Sequence, residues 1–303
     1  MQRQLLEYYR SICKDFHRLF LEVDQAYGRD TVHDLRVNLK KQMAFYRFLE
    51  AVEPAFSAKE AKASFGELYG LAGKVRDLQV ERSLLRQRMR LDSLFASWLK
   101  QREESYKILL QEYEKELTLA PVRRLERTAE SAIQAIQPGV ALDRFEQFLK
   151  TLLQEIRKTL EGTGLVECLH YLRKRLKDLY FNLRMLELLF PETCLPKKTM
   201  KALDKFQTLL GNWHDLDFIR ELLREEPKAC SAKIRHKLDK EHSKSTEKTV
   251  GELGGLGPVL DELEQALEEA WHAARLARLI EGGEQRRAVN SSFHQKNMEE
   301  GIK

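Results

Sequence analysis

Residues 31–50 read TVHDLRVNLKKQMAFYRFLE, and residues 168–187 read CLHYLRKRLKDLYFNLRMLE. Leucines at three- and four-residue spacing predict an amphipathic helix in both segments. At an offset of 137 residues the two segments also share polar positions, which a buried face does not require. The matched pairs are His33/His170, Leu35/Leu172, Arg36/Arg173, Leu39/Leu176, Lys40/Lys177, Arg47/Arg184, Leu49/Leu186 and Glu50/Glu187. The matched His, Arg and Lys residues are therefore the first candidates for a functional role.

The basic and apolar positions fall on different faces of each predicted helix. At about 100° per residue, the first helix places one narrow basic face at His33, Arg36, Lys40 and Arg47. Its apolar face carries Leu35, Leu39, Tyr46 and Leu49. The second helix repeats the basic face with His170, Arg173, Lys177 and Arg184, opposite Leu172, Leu176, Leu179, Leu183 and Leu186. We call the two basic faces the basic stripes, and no acidic residue occupies a stripe position to form stabilising i,i+4 pairs.

A second matched motif extends the repeat along the chain. LYGLAGKVRDLQV (68–80) aligns with FQTLLGNWHDLDF (206–218) at an offset of 138 residues, pairing Asp77 with Asp215. Two motifs at nearly one offset indicate a duplicated unit. We predict an all-α protein of two halves, residues 1–138 and 139–282, each with about four long helices and related by a pseudo-two-fold axis, followed by a polar tail over residues 283–303. The join is expected near Pro138 and Gly139, and glycines and prolines mark the other helix ends.

Composition narrows the class of protein. The 303 residues are 43% hydrophobic and carry a formal charge of +5, which is mildly basic, so any anion binding depends on where the basic residues lie. The four scattered cysteines form no zinc spacing, and their use is typical of a reducing compartment. Neither a secretory signal nor a run of about 18 apolar residues is apparent. We therefore expect a soluble, cytoplasmic protein without a membrane partner, and we expect no cofactor or metal.

Facing basic stripes would form a channel for a polyanion. If the two halves pack about the pseudo-two-fold axis, the stripes line one groove or pore, and like charges there repel one another unless an anion is present. Arginine offers phosphate a planar fork and lysine a point charge. Asp77 and Asp215 are expected to orient neighbouring Arg or His side chains. The candidate contacts are His33, Arg36, Lys40, Lys41, Arg47, Lys74, Arg76, His170, Arg173, Lys174, Lys177, Arg184, Lys201, Lys205 and His214.

The motifs resemble those of the CHAD family, the conserved histidine α-helical domain. VHDLRVNLKK and LHYLRKRLK are similar to its histidine-arginine helices, and GKVRDLQV and GNWHDLDF to its Gly-x-x-(Arg/His)-Asp segments. The resemblance covers about residues 5–280. It implies two four-helix bundles around a basic surface that binds inorganic polyphosphate, without catalysis by this domain alone, and implies a place at polyphosphate granules. The chain departs from the family pattern at Met43, Tyr180 and Asp178. These residues reduce the positive potential along the stripes.

Other functions remain open at this stage. The dipeptides His33-Asp34 and His214-Asp215 are similar to the His-Asp pair of metal-dependent phosphohydrolases of the HD type. The two dipeptides fall in non-equivalent parts of the repeat. A basic helical groove would also attract a nucleic-acid backbone, and charged helices could dock a protein. A metal held between His33 and His170 would lack further ligands. Trp213 is more typical of the core than of a binding surface. The oligomeric state is not determined by the sequence.

Overall fold

The computed structural model describes residues 1–88, 93–116, 119–190 and 195–276. These residues are almost entirely helical and include no strand, so the predicted all-α fold is confirmed. The helices are α1 (Gln2–Ala26), α2 (Arg29–Val52), α3 (Ala58–Arg88), α4 (Ser93–Glu116), α5 (Ala120–Ala135), α6 (Pro138–Glu161), α7 (Leu165–Leu189), α8 (Lys197–Glu225), α9 (Ala232–Leu253) and α10 (256–276), with a 3-10 helix at Pro227–Ala229. None of the described helices is both long and apolar enough to cross a membrane.

Glycine and proline end the helices where the sequence predicts. Gly28 is the N-cap of α2, and Pro138 lies in the first turn of α6, where proline costs no hydrogen bond. Gly164 precedes α7 with a φ of 81°, a left-handed conformation that glycine adopts without a steric penalty. The predicted tail, residues 283–303, lies outside the described residues. The ends of these helices are therefore determined by residues that are adjacent in the sequence.

The matched helices occupy the centre of the molecule. Consecutive helices pack on one another from α1 to α4 and from α6 to α9. Between these two series, α2 packs on α6 and α7, and α3 packs on α8. The described residues before Pro138 form five helices, and those from Pro138 onward form five more, where we expected about four in each half. The pseudo-two-fold relation between the halves stays a prediction.

The apolar faces of α2 and α7 are buried as predicted. Leu35, Leu39, Tyr46 and Leu49 of α2 are each 0% exposed, and so are the matched leucines of α7 at 172, 179, 183 and 186. Complete burial of one such side chain stabilises a fold by about 1.5–3 kcal/mol. The apolar faces therefore fix the rotation of α2 and α7, and with it the direction in which their basic stripes point.

The apolar interior is divided into two clusters, and α3 and α8 pass from one to the other. On α3, Val75 belongs to the main core and Leu78 to the smaller cluster. On α8, Trp213 belongs to the main core and Ile219 to the smaller cluster, which also includes residues of α4 and α9. The second matched motif, with Asp77 and Asp215, lies at these crossings. The fold thereby places polar groups from α3 and α8 at the boundary between two apolar regions.

Candidate anion site

Four basic residues of the two stripes converge between α2 and α7. We call Arg36, Lys40, Arg173 and Lys177 the central cluster. Burial and the positive charges of Lys177, Arg36 and Arg173 lower the pKa of Lys40 to about 6. Burial, Arg173 and Arg36 lower the pKa of Lys177 to about 8, against a hydrogen bond with Lys40 that raises it. The two lysines therefore lie in contact and compete for protons.

Asp77 of α3 orients the arginine of the first stripe. Arg36 Nη1 donates to Asp77 Oδ1 at 2.6 Å and to the carbonyl oxygen of Gly73 at 3.1 Å. The guanidinium carbon lies 5.8 Å from the centre of the Tyr69 ring. Side-chain exposure is 12% for Arg36 and 28% for Asp77, so the pair is largely shielded from water. The expected orienting role of Asp77 is thus provided by direct hydrogen bonding.

Arg173 has a different environment from its counterpart on α2. Burial lowers its pKa, against the attraction of Asp215 and Asp77. Burial raises the pKa of Asp215, and Arg173 opposes this rise. No ion pair joins Arg173 to a described carboxylate, and its Nε is buried without a hydrogen-bond partner there. A buried donor of this kind costs about 1–3 kcal/mol unless a ligand or water accepts from it.

His214 of α8 borders the central cluster as a neutral imidazole. Burial, Arg173 and His170 lower its pKa to about 3. The rings of His170 and His214 lie 4.9 Å apart, nearly perpendicular to each other. The Nδ1 atom of His214 is buried and has no hydrogen-bond partner among the described residues. At neutral pH His214 can therefore donate one hydrogen bond to an anion without adding charge.

His170 contacts a carboxylate, Asp217, that is not among the predicted site residues. Its Nε2 lies 2.9 Å from Asp217 Oδ2, and His242 Nε2 of α9 lies 3.0 Å from the other oxygen of the same carboxylate. Arg220 Nη1 lies 3.3 Å from His242 Nδ1. Asp217 lies two residues after Asp215, within the second matched motif, and this position is the only feature of the sequence that pointed to it. His242 lies in α9, outside both motifs, and only the tertiary structure places it here.

The remaining candidates near the cluster are more peripheral. His33 is exposed at the N-terminal end of its stripe, and partial burial and Arg76 lower its pKa. Arg76 Nη1 donates to the carbonyl oxygen of Arg29 at 3.2 Å. Lys74 is exposed, and its Nζ lies 5.0 Å from the centre of the Tyr106 ring. Of these three, Arg76 and Lys74 lie on α3 and are engaged by other groups.

The far ends of the stripes and the outlying lysines are not in the central cluster. Arg47 Nη2 forms an ion pair with Asp178 of α7, and Arg184 donates to Glu187 at 2.8 Å and to the Tyr180 hydroxyl at 3.1 Å. Lys41, Lys174, Lys201 and Lys205 are also exposed to solvent, and Lys205 Nζ lies 3.7 Å from Glu252. The fifteen candidates therefore divide into a compact centre and a dispersed remainder.

A metal site finds no support in the geometry. Across the described ranges, no three His, Cys, Asp or Glu side chains are grouped so that they could hold a metal ion. His170 contacts Asp217, Trp213 and His214. Trp213 itself is 3% exposed, and its Nε1 donates to Thr246 at 3.0 Å, which places it in the core as expected.

Comparison with known proteins identifies the family. The family model described as CHAD domain matches residues 12–224. Among solved structures, the chain is similar to the crystal structure of the CHAD domain from the plant Ricinus communis, with a TM-score of 0.57 and 16% sequence identity. That match covers 88% of this chain and 91% of the plant chain. No curated protein matches the chain. The likeness to the plant structure concerns the fold alone, because identity is low.

Proposed function

Because this chain belongs to the CHAD family, we propose that it binds inorganic polyphosphate at the central cluster and does not turn it over. One observation carries the proposal. Arg173 and Lys177 are cations withdrawn from water, Lys40 beside them is kept mostly neutral by burial and by their repulsion, and none of the three forms an ion pair with a described carboxylate. Charged side chains are seldom buried without a partner. A polyanion supplies the missing negative charge.

The donor set suits phosphate oxygens. Arg36 is fixed by Asp77 and Gly73, so its guanidinium is oriented before a ligand arrives. The Nε of Arg173 and the Nδ1 of His214 are buried atoms that lack a hydrogen-bond partner within the described part of the chain. Lys177 adds a point charge, Lys40 regains one when an anion binds, and an ammonium group tolerates many arrangements of oxygen atoms. Neighbouring phosphates of a linear chain can satisfy several of these groups together.

Binding without turnover is part of the proposal. Hydrolysis of a phosphoanhydride needs an activated nucleophile or a metal-bound water. The central cluster is bordered by a neutral imidazole, by one carboxylate engaged by Arg36 and by a second, Asp215, attracted by Arg173. Together with the basic residues, these groups are suited to holding an anion, and we infer binding alone from them. A place at polyphosphate granules and in the cytoplasm belongs to the same proposal.

Titration with long-chain polyphosphate, with RNA and ATP as competitors, tests the function. We expect tight binding that weakens steeply with salt and that RNA does not displace, while ATP, with only three phosphates, competes less well than a linear polyphosphate. The log–log slope of affinity against salt then reports how many charges are engaged. Equal displacement by RNA would favour a nucleic-acid backbone as the ligand and would overturn the polyphosphate proposal.

A double charge reversal tests the place of binding. Arg36→Glu with Arg173→Glu should abolish binding and leave the helical circular dichroism unchanged. The matched control is Lys62→Glu with Lys158→Glu, two exposed lysines of α3 and α6 outside the candidate set. The control changes the net charge equally and should retain most of the affinity. Unchanged affinity in the folded Arg36/Arg173 variant would show that binding occurs elsewhere.

A further inference from the structure

The two basic stripes are positive at one end and neutralised at the other. Arg36, Lys40, Arg173 and Lys177 influence one another's protonation and therefore lie close together. Seven residues beyond each lysine, about 10 Å along the helix, the stripes continue with Arg47 and Arg184. Both of these arginines form ion pairs with carboxylates. The sequence repeat alone would have predicted a continuous positive surface.

Asp178 is built into a line of charges that crosses three helices. It forms an ion pair with Arg47 of α2, and its other oxygen lies 3.6 Å from Arg175 Nη1 on its own helix. Arg175 Nε in turn lies 3.0 Å from Glu155 Oε2 of α6. Asp178 itself is 8% exposed. The line contains two cations and two anions and is formally neutral.

The carboxylates that hold the two arginines differ in how easily a ligand could replace them. Glu187 belongs to the same helix as Arg184, three residues on, and its side chain is 29% exposed. Such a pair contributes little and can be replaced at small cost. The Asp178 side chain is 12% exposed and joins two helices. Separating Asp178 from Arg47 would leave this buried carboxylate with only Arg175, 3.6 Å away, which is unfavourable.

Resting on the proposed function, we propose that Asp178, locked by Arg47, closes the anion site at this end, so that the protein binds the terminus of a linear polyphosphate or a short oligophosphate. Along the first stripe beyond Lys40, an advancing phosphate would meet Arg47, whose charge is already neutralised, and the carboxylate of Asp178 that holds it. The position matched to Asp178 on α2 is Lys41, which is exposed. The closure is therefore a property of one half only.

The dependence of affinity on chain length tests this proposal in the unaltered protein. If only termini bind, the dissociation constant per chain stays constant as linear polyphosphates become longer than the site. If internal segments bind, affinity per chain rises in proportion to length, about tenfold for a tenfold longer chain, because the number of binding positions increases. Cyclic polyphosphate, which has no terminus, should bind weakly. A proportional rise with length, or tight binding of the cyclic form, would overturn the proposal.

Two isosteric variants locate the closure. Asp178→Asn should open the site, raise the log–log salt slope by about one charge and make affinity per chain increase with length. Glu187→Gln changes the net charge equally but releases Arg184, which is outside the closed end. Affinity per chain should therefore remain independent of chain length. Identical behaviour of Asp178→Asn and the unaltered protein would also overturn the proposal. Failure of the unaltered protein to bind any linear polyphosphate would instead refute the proposed function itself.

Discussion

Replacing Lys40 by methionine should stabilise the free protein while weakening its binding of polyphosphate. Burial and three neighbouring cations lower the pKa of Lys40 to about 6, so at pH 7.5 its amine is neutral in most molecules. Removing a proton from an amine of ordinary pKa at that pH costs about 4 kcal/mol. In the unfolded chain Lys40 regains its ordinary pKa, so the amine opposes folding at neutral pH. Methionine retains the apolar stem and eliminates this penalty.

The expected gain in the free energy of unfolding is about 1–4 kcal/mol, the range found when buried charges are replaced by apolar groups of similar size. For a chain of this size the gain should raise the melting temperature by at least about 2 °C. The lost charge contact should weaken polyphosphate binding by roughly tenfold to a hundredfold. Opposite changes in stability and function are expected wherever a binding site stores repulsion.

Thermal unfolding in phosphate-free buffer and titration with polyphosphate measure the two effects. Lys62→Met is the control, because Lys62 is an exposed lysine of α3. Its stability should stay within about 0.5 kcal/mol of the unaltered protein, and its affinity should not change. A Lys40→Met variant that is less stable than the unaltered protein would refute the reasoning, since it would mean that the amine supports the fold.

Three further predictions concern the pH dependence of binding, the packing of Leu39 and the effect of Glu103 on stability. Affinity for polyphosphate should fall as pH rises above 6, because binding restores the proton to Lys40. Calorimetry at pH 7.5 in buffers of different ionisation enthalpy should show proton uptake on binding. Lys40→Arg, whose side chain stays charged, should flatten the dependence of affinity on pH. Leu39→Ala should lower stability by about 2–5 kcal/mol in urea unfolding, because Leu39 is completely buried, and a loss below about 1 kcal/mol would contradict this packing. Burial raises the pKa of Glu103, but hydrogen bonds from Lys107 and Arg82 outweigh it and leave the pKa below its ordinary value. Glu103 should therefore stabilise the fold at neutral pH and lose this effect as pH falls through its pKa. Glu103→Gln should reduce the pH dependence of the melting temperature below pH 5 and leave polyphosphate affinity unchanged.

Much of the fold could be predicted because its signals are local. The leucine spacing in α2 and α7 predicted both the helices and their buried faces, and Gly28, Pro138 and Gly164 marked helix ends. The matched motifs also pointed to α2, α3, α7 and α8 as the elements of interest. The number of helices in each half was less well predicted, since about four were expected and five are described.

The sequence pointed to basic residues that the structure brings together, but not to those that carboxylates neutralise. Arg36 and Arg173 occupy the central cluster, as their repeated spacing indicated. Arg47 has the same spacing and the same place in its stripe, yet it forms an ion pair with Asp178 from a different helix. Asp178 was noted as a departure that softens the positive field, but its role as a partner of Arg47 was not visible. Pairing across helices depends on how α2 crosses α7, which the periodicity of either helix does not specify.

The sequence by itself determined the helical class, the buried faces and the identity of the central basic residues, because each depends on spacing within one segment. Only the tertiary structure decided which charges are compensated. Arg36 is held by Asp77, Arg47 by Asp178 and His170 by Asp217, whereas Arg173 and the two central lysines form no ion pair with a described residue. The field at one point is the sum over groups that packing brings together, and those groups are distant in the chain.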